Sequence, residues 1–446
     1  MQDLGIISPS LEEFRERAVT HRVIPVCIKI LADSLTPIGI YRSLVLHDGA
    51  ADPGTFLLES AKIATEGESA AWDRYSFIGA SSRSTLTTRD GKIYWQGQTP
   101  AGAPTEGDPV EAIDQTLRML HTEPVPGLPP LTSGLVGYLG WDVVRRWENL
   151  PYPPADDVNL PEFALNMVSD MAIHDNTDGT VLLIANAINF NGTDENVDDA
   201  YVDAVERLHR MLQQLEQGAS ETASVLTGVS EVNDRIHREV TQTWSVQGYQ
   251  DAIDRCKKNI IDGDVFQIVI SRRFEVETGA DALDVYRVLR QSNPSPYMYL
   301  FNFEDAEGIP FQIVGSSPEA LVTLKEGRAT SHPIAGSRPR GATREQDIAL
   351  AEELLADQKE RSEHLMLVDL ARNDLSRIAK PGTVSVDEFM VIERFSHIMH
   401  ISSSVSAELD PQFSAYDVLR VAFPAGTLSG APKPRAMQLI DEYEPT

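Results

Sequence analysis

Turn signals set between alternating apolar stretches constrain this chain more than any other feature of its sequence. Asp90-Gly91 separates two strand-like runs, residues 84–89 and 92–95. A two-residue Asp-Gly connection predicts a hairpin, because both turn positions need positive φ and these residue types tolerate it. Asp178-Gly179 predicts a second hairpin between 171–174 and 181–184, and Glu326-Gly327 a third between 321–324 and 328–334. Residues 21–100 as a whole read as strands joined by tight turns. The Pro/Gly-rich stretches 99–109 and 123–134 read as loops.

Helical spacing appears elsewhere. Tyr201, Val205, Leu208 and Leu212 recur on one face over 196–217. Ile253, Cys256 and Ile260 do the same over 247–261, where Asp262-Gly263 is the stop signal. Residues 266–274 read as a strand and 344–371 as a helix. Hairpins and helices come in runs rather than in strict βαβ alternation. This favours an α+β fold over a doubly wound parallel sheet. At 446 residues, and about 150 per domain, two or three domains are expected. The polar stretch 218–243 is the expected boundary, giving domains 1–243 and 244–446.

Composition excludes several function classes. Lys and Arg number 38 and Asp and Glu 67, a net charge of −29. So acidic a surface opposes nonspecific binding to nucleic acid or an anionic membrane, though a local positive site can still hold a small anion. The two cysteines, Cys27 and Cys256, form no disulfide framework and no CxxC metal site, which fits a reducing cytoplasm. The N-terminus carries no signal-peptide pattern, and the most apolar run, residues 23–32, is interrupted by Lys29.

Three constellations carry chemistry. Glu360, Glu363 and His364 stand at i, i+3 and i+4, so a helix presents them together, and two carboxylates offer the hard oxygens that suit Mg²⁺. Spacing alone favours a solvated acidic face. Against that, the segment runs into apolar Leu365–Leu370 and then the polar cluster Arg372-Asn373-Asp374. The second is Gly426-Thr-Leu-Ser-Gly-Ala-Pro-Lys433, a small-residue loop before a helix near Pro434, readable as an anion seat or as a tight connection. The third is the strand-to-turn run Ser331–Gly341, whose Arg338 and Arg340 are either carboxylate binders or surface residues. His400, in strand-like sequence, and Glu319, in Gly315-Ser-Ser-Pro-Glu319, are acid/base candidates or ordinary structural residues.

Taken together and in order, these segments resemble the chorismate-binding domain of the chorismate-utilising enzymes over about 247–446. The motifs are Gly315–Glu319, Pro333–Gly341, Glu360-x-x-Glu-His364, Leu367–Leu375 and Gly426–Lys433. Leu57-Leu-Glu-Ser60, Arg74–Gly79 and Gly134–Tyr138 resemble the N-terminal region of anthranilate synthase component I. The resemblance implies an α+β fold of two antiparallel sheets packed face to face, with helices outside. It implies conversion of chorismate and ammonia to anthranilate and pyruvate, the first committed step of tryptophan biosynthesis. A glutamine amidotransferase partner would supply the ammonia and tryptophan would act as feedback inhibitor. Carried over by position, Glu363 is a Mg²⁺ ligand with Glu360 beside it. His400 is the acid/base of the elimination, Glu319 an acid near the departing hydroxyl, and Gly336, Ser337 and Thr427 line the substrate. Ser60 with Pro296, Tyr297 and Met298 resembles the tryptophan site.

Within the family, Gln267 stands where isochorismate and salicylate synthases resemble one another in carrying a water-activating lysine. Ala335 stands where aminodeoxychorismate synthases carry lysine. Both residues favour the anthranilate branch. The alternatives are an aminodeoxychorismate synthase and a non-catalytic tryptophan-binding remnant. The remnant enters because the sequence stops at Thr446, where the resemblance implies a longer C-terminal part with further metal and substrate ligands.

Overall fold

The computed structural model describes residues 4–61, 74–121, 124–218, 240–395 and 397–446. They form two compact units that interleave along the chain. The first is Met1–Gly140, Leu160–Ser224 and Asp281–Pro318; the second is Trp141–Asn159, Val225–Ala280 and Glu319–Thr446. The expected linear division at 243/244 therefore does not describe how the chain packs, and most of the polar stretch chosen for it, 219–239, lies outside the described residues. The reason is strand pairing. Tyr297–Glu304 hydrogen-bonds to Phe56–Glu59, more than two hundred positions earlier, and so carries residues 281–318 into the first unit.

The first unit is built on an antiparallel sheet of ten strands among the described residues. Its order is Ile7–Ser8, Val23–Leu31, Thr180–Ile188, Phe163–Asp175, Tyr75–Arg89, Phe56–Glu59, Tyr297–Glu304 and Pro310–Ser317. Lys92–Gly97 pairs with Tyr75–Arg89, and Leu135–Leu139 with Phe163–Asp175. The Asp90-Gly91 turn is as read, with φ of 51° and 69°. The second hairpin exists but closes differently. Thr180 pairs with Asp175, leaving four residues in the connection, of which Gly179 takes positive φ.

One face of this sheet buries Ile24, Val26, Ile78, Leu183 and Leu300 against Ile40 and Leu44 and against Leu208 and Met211. Those last pairs sit on the helices Pro37–Val45 and Val197–Gln217. Burial of each such side chain contributes about 1.5–3 kcal/mol. The helix Pro37–Val45 corrects the all-strand reading of 21–100. Its signal was present in Thr36-Pro37: Thr36 caps Gly39 N–H through its hydroxyl, and Pro occupies the first turn.

Gly137, in the Gly134–Tyr138 motif, has a physical cause. A β-carbon there would lie 1.9 Å from the Ala164 carbonyl oxygen of the neighbouring strand. Gly137→Ala is expected to destabilise the chain by about 3 kcal/mol through overpacking. Urea unfolding of the two proteins measures this, and an unchanged midpoint would rule the contact out as a constraint.

The second unit holds an antiparallel sheet of five strands among the described residues. Thr323–Lys325, Arg328–Ser331, Ile398–Glu408 and Ile334–Pro339 lie in that order, with Ser385–Arg394 also paired to Ile398–Glu408. Glu326 and Gly327 take φ of 51° and 75°, so the third hairpin is as read. The sheet buries Ala329, Val405 and Ala407 against Val368, Ala371 and Leu375 of the helix Gln358–Ser376 and Val418 and Val421 of Ala415–Ala422. The α+β class with antiparallel sheets is thus what the sequence indicated. No helix is long and apolar enough to cross a membrane among the described residues.

Three local readings are corrected. The single helix expected over 344–371 is two, Arg344–Ala356 and Gln358–Ser376, because Asp357 caps the second, accepting from Lys359 and Glu360 N–H. The strand expected over 266–274 is broken into Gln267–Ile268 and Phe274–Val276, with Phe266 exposed. The helix Val246–Asp262 ends at Gly263 as read, but Ile260 on its expected inner face is exposed.

Candidate active site

The helix Gln358–Ser376 brings Glu360 and Glu363 to one face, next to the strand Ile334–Pro339. Gly336 makes the close approach possible. Its φ is +68°, and a β-carbon on it would meet Glu360 Oε2 at 3.1 Å and Leu354 at 3.3 Å. A glycine at this point thus leaves the Glu360 carboxylate lying over the strand. The nearest cation to Glu360 is Arg338, at 3.9 Å. Glu363 is half-buried and has no hydrogen-bond or ion-pair partner among the described residues.

His364 does not share that face's chemistry. It is fully buried, with Nε2 2.6 Å from Ser403 Oγ, and Ser403 Oγ also accepts the Met390 N–H at 3.0 Å. Burial pushes its imidazole down to about 4, so it stays neutral and ties the helix to the strand Ile398–Glu408.

His400 lies on that strand, paired in register with Ser337. Its Nδ1 is 2.9 Å from the Gly336 carbonyl oxygen. A carbonyl only accepts, so Nδ1 carries the proton in this bond, and Nε2 of a neutral ring is left as the basic nitrogen. The Phe395 ring stands edge-on to the imidazole, with centroids 5.5 Å apart. Gly336, Ser337, Glu360 and His400 are therefore neighbours, although 64 positions separate Gly336 from His400.

Glu319 and Thr427 form a second group. The Thr427 hydroxyl donates to Glu319 Oε2 at 3.2 Å. Burial pushes the Glu319 carboxyl up to about 7, and the Thr427 hydrogen bond opposes that rise without cancelling it. A carboxylic acid of that strength is suited to donate a proton near neutral pH. The two residues line a cavity of about 40 Å³, together with Ser331, Asp374 and Lys433. A larger cavity of about 290 Å³ in the first unit contains none of the residues singled out from sequence.

The arginine run resolves toward structure. Arg338 pairs with Glu353 and Asp357, each at 3.0 Å. Arg340 holds Asp347 at 2.7 Å and the Phe395 carbonyl at 2.7 Å, while Arg394 reaches the same Asp347 at 3.0 Å. Asp347 is held well below the usual carboxylate range, first by Arg340 and then by the Gly341 N–H and Arg394. These guanidinium groups are committed within the protein. The small-residue loop is likewise committed in part: Leu428 and Ser429 N–H both donate to the Ala425 carbonyl, so neither is free for an anion.

In the first unit, Met298 pairs in register with Glu59, and Ala61 N–H donates to the Ser295 carbonyl at 3.0 Å. Ser60 and Pro296–Met298 are thus brought together. Met298 itself is buried in the core, and Glu59 is buried with the Tyr286 hydroxyl 2.6 Å away and Arg290 at 3.3 Å. Sequence reasoning missed these partners and the Lys433–Asp374 pair, because nothing local marks them.

Residues 60–446 match the family described as chorismate binding enzyme. The chain is 59% identical over 445 residues to anthranilate synthase component 1 of Arthrobacter globiformis, covering all of this chain and 82% of that protein. It belongs to the anthranilate synthase component 1 family. A second relative of that name, from Mycolicibacterium smegmatis, is 54% identical over 98% of this chain and 80% of its own length. The crystal structure of anthranilate synthase component I from Streptococcus pneumoniae superposes with a TM-score of 0.69 at 30% identity, covering 86% of this chain and 79% of that one. The chain is thus an enzyme of this family, and its fold is the one the family shares.

Proposed function

We propose that the chain converts chorismate and ammonia to anthranilate, pyruvate and water, with ammonia drawn in the cell from glutamine through a partner amidotransferase. The observation that carries this reading is the 59% identity, over the whole chain, to a relative named for that activity. Each step has a candidate residue. Ammonia forms a C–N bond to the ring as the 4-hydroxyl departs, taking the Glu319 proton, with Thr427 holding that carboxyl in place. His400 Nε2 then removes the proton from the ring carbon that bears the new amine, the C–O bond to the enolpyruvyl group breaks as the ring aromatises, and the released enolpyruvate takes up a proton at its methylene carbon to become pyruvate. Gly336 and Ser337 line the substrate beside His400.

Glu363 and Glu360 fit a hard divalent cation: Glu363 has no competing partner among the described residues, and Glu360 has only a distant one. Together they would offer a cation two carboxylates from one helix face. That suits Mg²⁺, which keeps several waters and takes further oxygens from a substrate. When bound, Mg²⁺ neutralises these carboxylates and draws electrons toward the substrate's ring carboxylate.

Tryptophan binding at Ser60 and Pro296–Tyr297 would act as feedback. The test is anthranilate fluorescence with chorismate, ammonium and Mg²⁺, with and without tryptophan. Formation of anthranilate that stops on chelation of Mg²⁺ and falls on addition of tryptophan is expected. Formation of 4-amino-4-deoxychorismate instead would sink the reading, and so would a folded chain without product.

A further inference from the structure

We propose that Lys433 and Asp374 are positioning residues that clasp the segment bearing Thr427, and so hold the Thr427 hydroxyl against Glu319. The inference rests on the proposed function for its kinetic readout. Lys433 opens the helix Lys433–Tyr443, and its ammonium donates to Asp374 Oδ2 at 2.6 Å and to the Ala422 carbonyl at 2.9 Å. Ala422 is the last residue of the helix Ala415–Ala422, and Asp374 lies near the end of Gln358–Ser376. One ammonium therefore joins both ends of the segment 423–432 to a third element.

The clasp is shielded from water: the side chains of Lys433 and Asp374 are 11% and 15% exposed. Removing one charge from such a pair leaves the other buried without compensation. The segment between its ends is tightly seated as well. A β-carbon on Gly426 would lie 2.3 Å from Leu370 Cδ2, and one on Gly430 2.2 Å from the Gln267 carbonyl oxygen. Within it, the Thr427 hydroxyl donates to Glu319 Oε2. Lys433, Asp374, Thr427 and Glu319 line one small cavity, so a shift of the clasp is felt at the acid. A displacement of about 1 Å at a reacting group can cost about a hundredfold in rate.

The experiment is a kinetic double-mutant cycle on the full chain, with chorismate, ammonium and Mg²⁺. Lys433→Met is expected to lower kcat about a hundredfold while KM for chorismate stays within about threefold, since the group displaced acts in the transition state. Lys433→Arg, which keeps the charge and the donors, should restore most of that loss. In a Thr427→Val background Lys433→Met should cost less than about threefold, because the group it positions is already gone. Asp374→Asn repeats the cycle with a milder change should Lys433→Met fail to fold. An equal loss of kcat in both backgrounds, or a loss appearing in KM alone, would overturn the positioning role. If the unsubstituted chain makes no anthranilate, it is the proposed function that fails. The clasp is then tested by whether Lys433→Met alters protection of the Thr427 amide in hydrogen exchange, and unchanged protection would overturn it.

Discussion

Glu319→Gln is expected to lower kcat by a factor of about 10²–10⁴ while making the folded chain more stable at alkaline pH. Both effects come from one cause. Burial raises the Glu319 carboxyl from 4.5 to about 7, so the folded chain favours the protonated form. The sign follows from linkage. This group's favourable contribution is fully present below about pH 4.5 and is lost as the pH rises through about 7, where the fold must hold a buried carboxylate. The difference amounts to about 3 kcal/mol. Gln is neutral at every pH, keeps the shape, and still offers Thr427 an acceptor, so it avoids that loss but has no proton to give. Urea unfolding at pH 5 and pH 8 should therefore show the variant gaining little at pH 5 and about 3 kcal/mol at pH 8. The activity of the unsubstituted chain should decline above about pH 7 as the acid ionises. A stability gain independent of pH, or retained activity, would remove Glu319 from the role of buried acid.

His400→Gln should divide the reaction rather than abolish it. Nδ1 of His400 is anchored to the Gly336 carbonyl, which leaves Nε2 as the group able to take a proton. Gln can keep a hydrogen bond to that carbonyl through its amide, so the strand pairing with Ser337 need not change. It cannot accept and pass on a proton. The elimination half should then slow by about 10³-fold, while amine addition, which draws its proton from Glu319, continues. The aminated intermediate should accumulate and separate from anthranilate by chromatography, with pyruvate release slowed to the same degree. Loss of chorismate consumption together with pyruvate release, and no intermediate, would mean that His400 serves the first half or the fold.

Much of this was legible in the sequence where the cause is local. Asp90-Gly91 and Glu326-Gly327 adopt the positive φ values that their residue types tolerate, and the hairpins follow. The helix Val197–Gln217 follows from apolar residues at helical spacing. The shared face of Glu360 and Glu363 follows from helix periodicity once a helix is there. Some local signals were present but outweighed by patterning. Thr36, with Pro37 after it in the first turn, and Asp357 are N-caps, and each starts a helix that the apolar pattern alone ran into its neighbours.

The sequence by itself determined which short segments turn, cap and coil, and which side chains were candidates for proton transfer. It could not determine which candidates meet. Only the tertiary structure set His400 under the Gly336 carbonyl, put the Thr427 hydroxyl on Glu319, and closed Lys433 onto Asp374. It alone showed that Arg338 and Arg340 are taken up by Glu353, Asp357 and Asp347. The physical reason is that turns and caps are fixed by φ/ψ preferences and hydrogen bonds within a few residues. The acidity of Glu319, by contrast, depends on burial and on a partner more than a hundred positions away, and neither exists until the chain has packed.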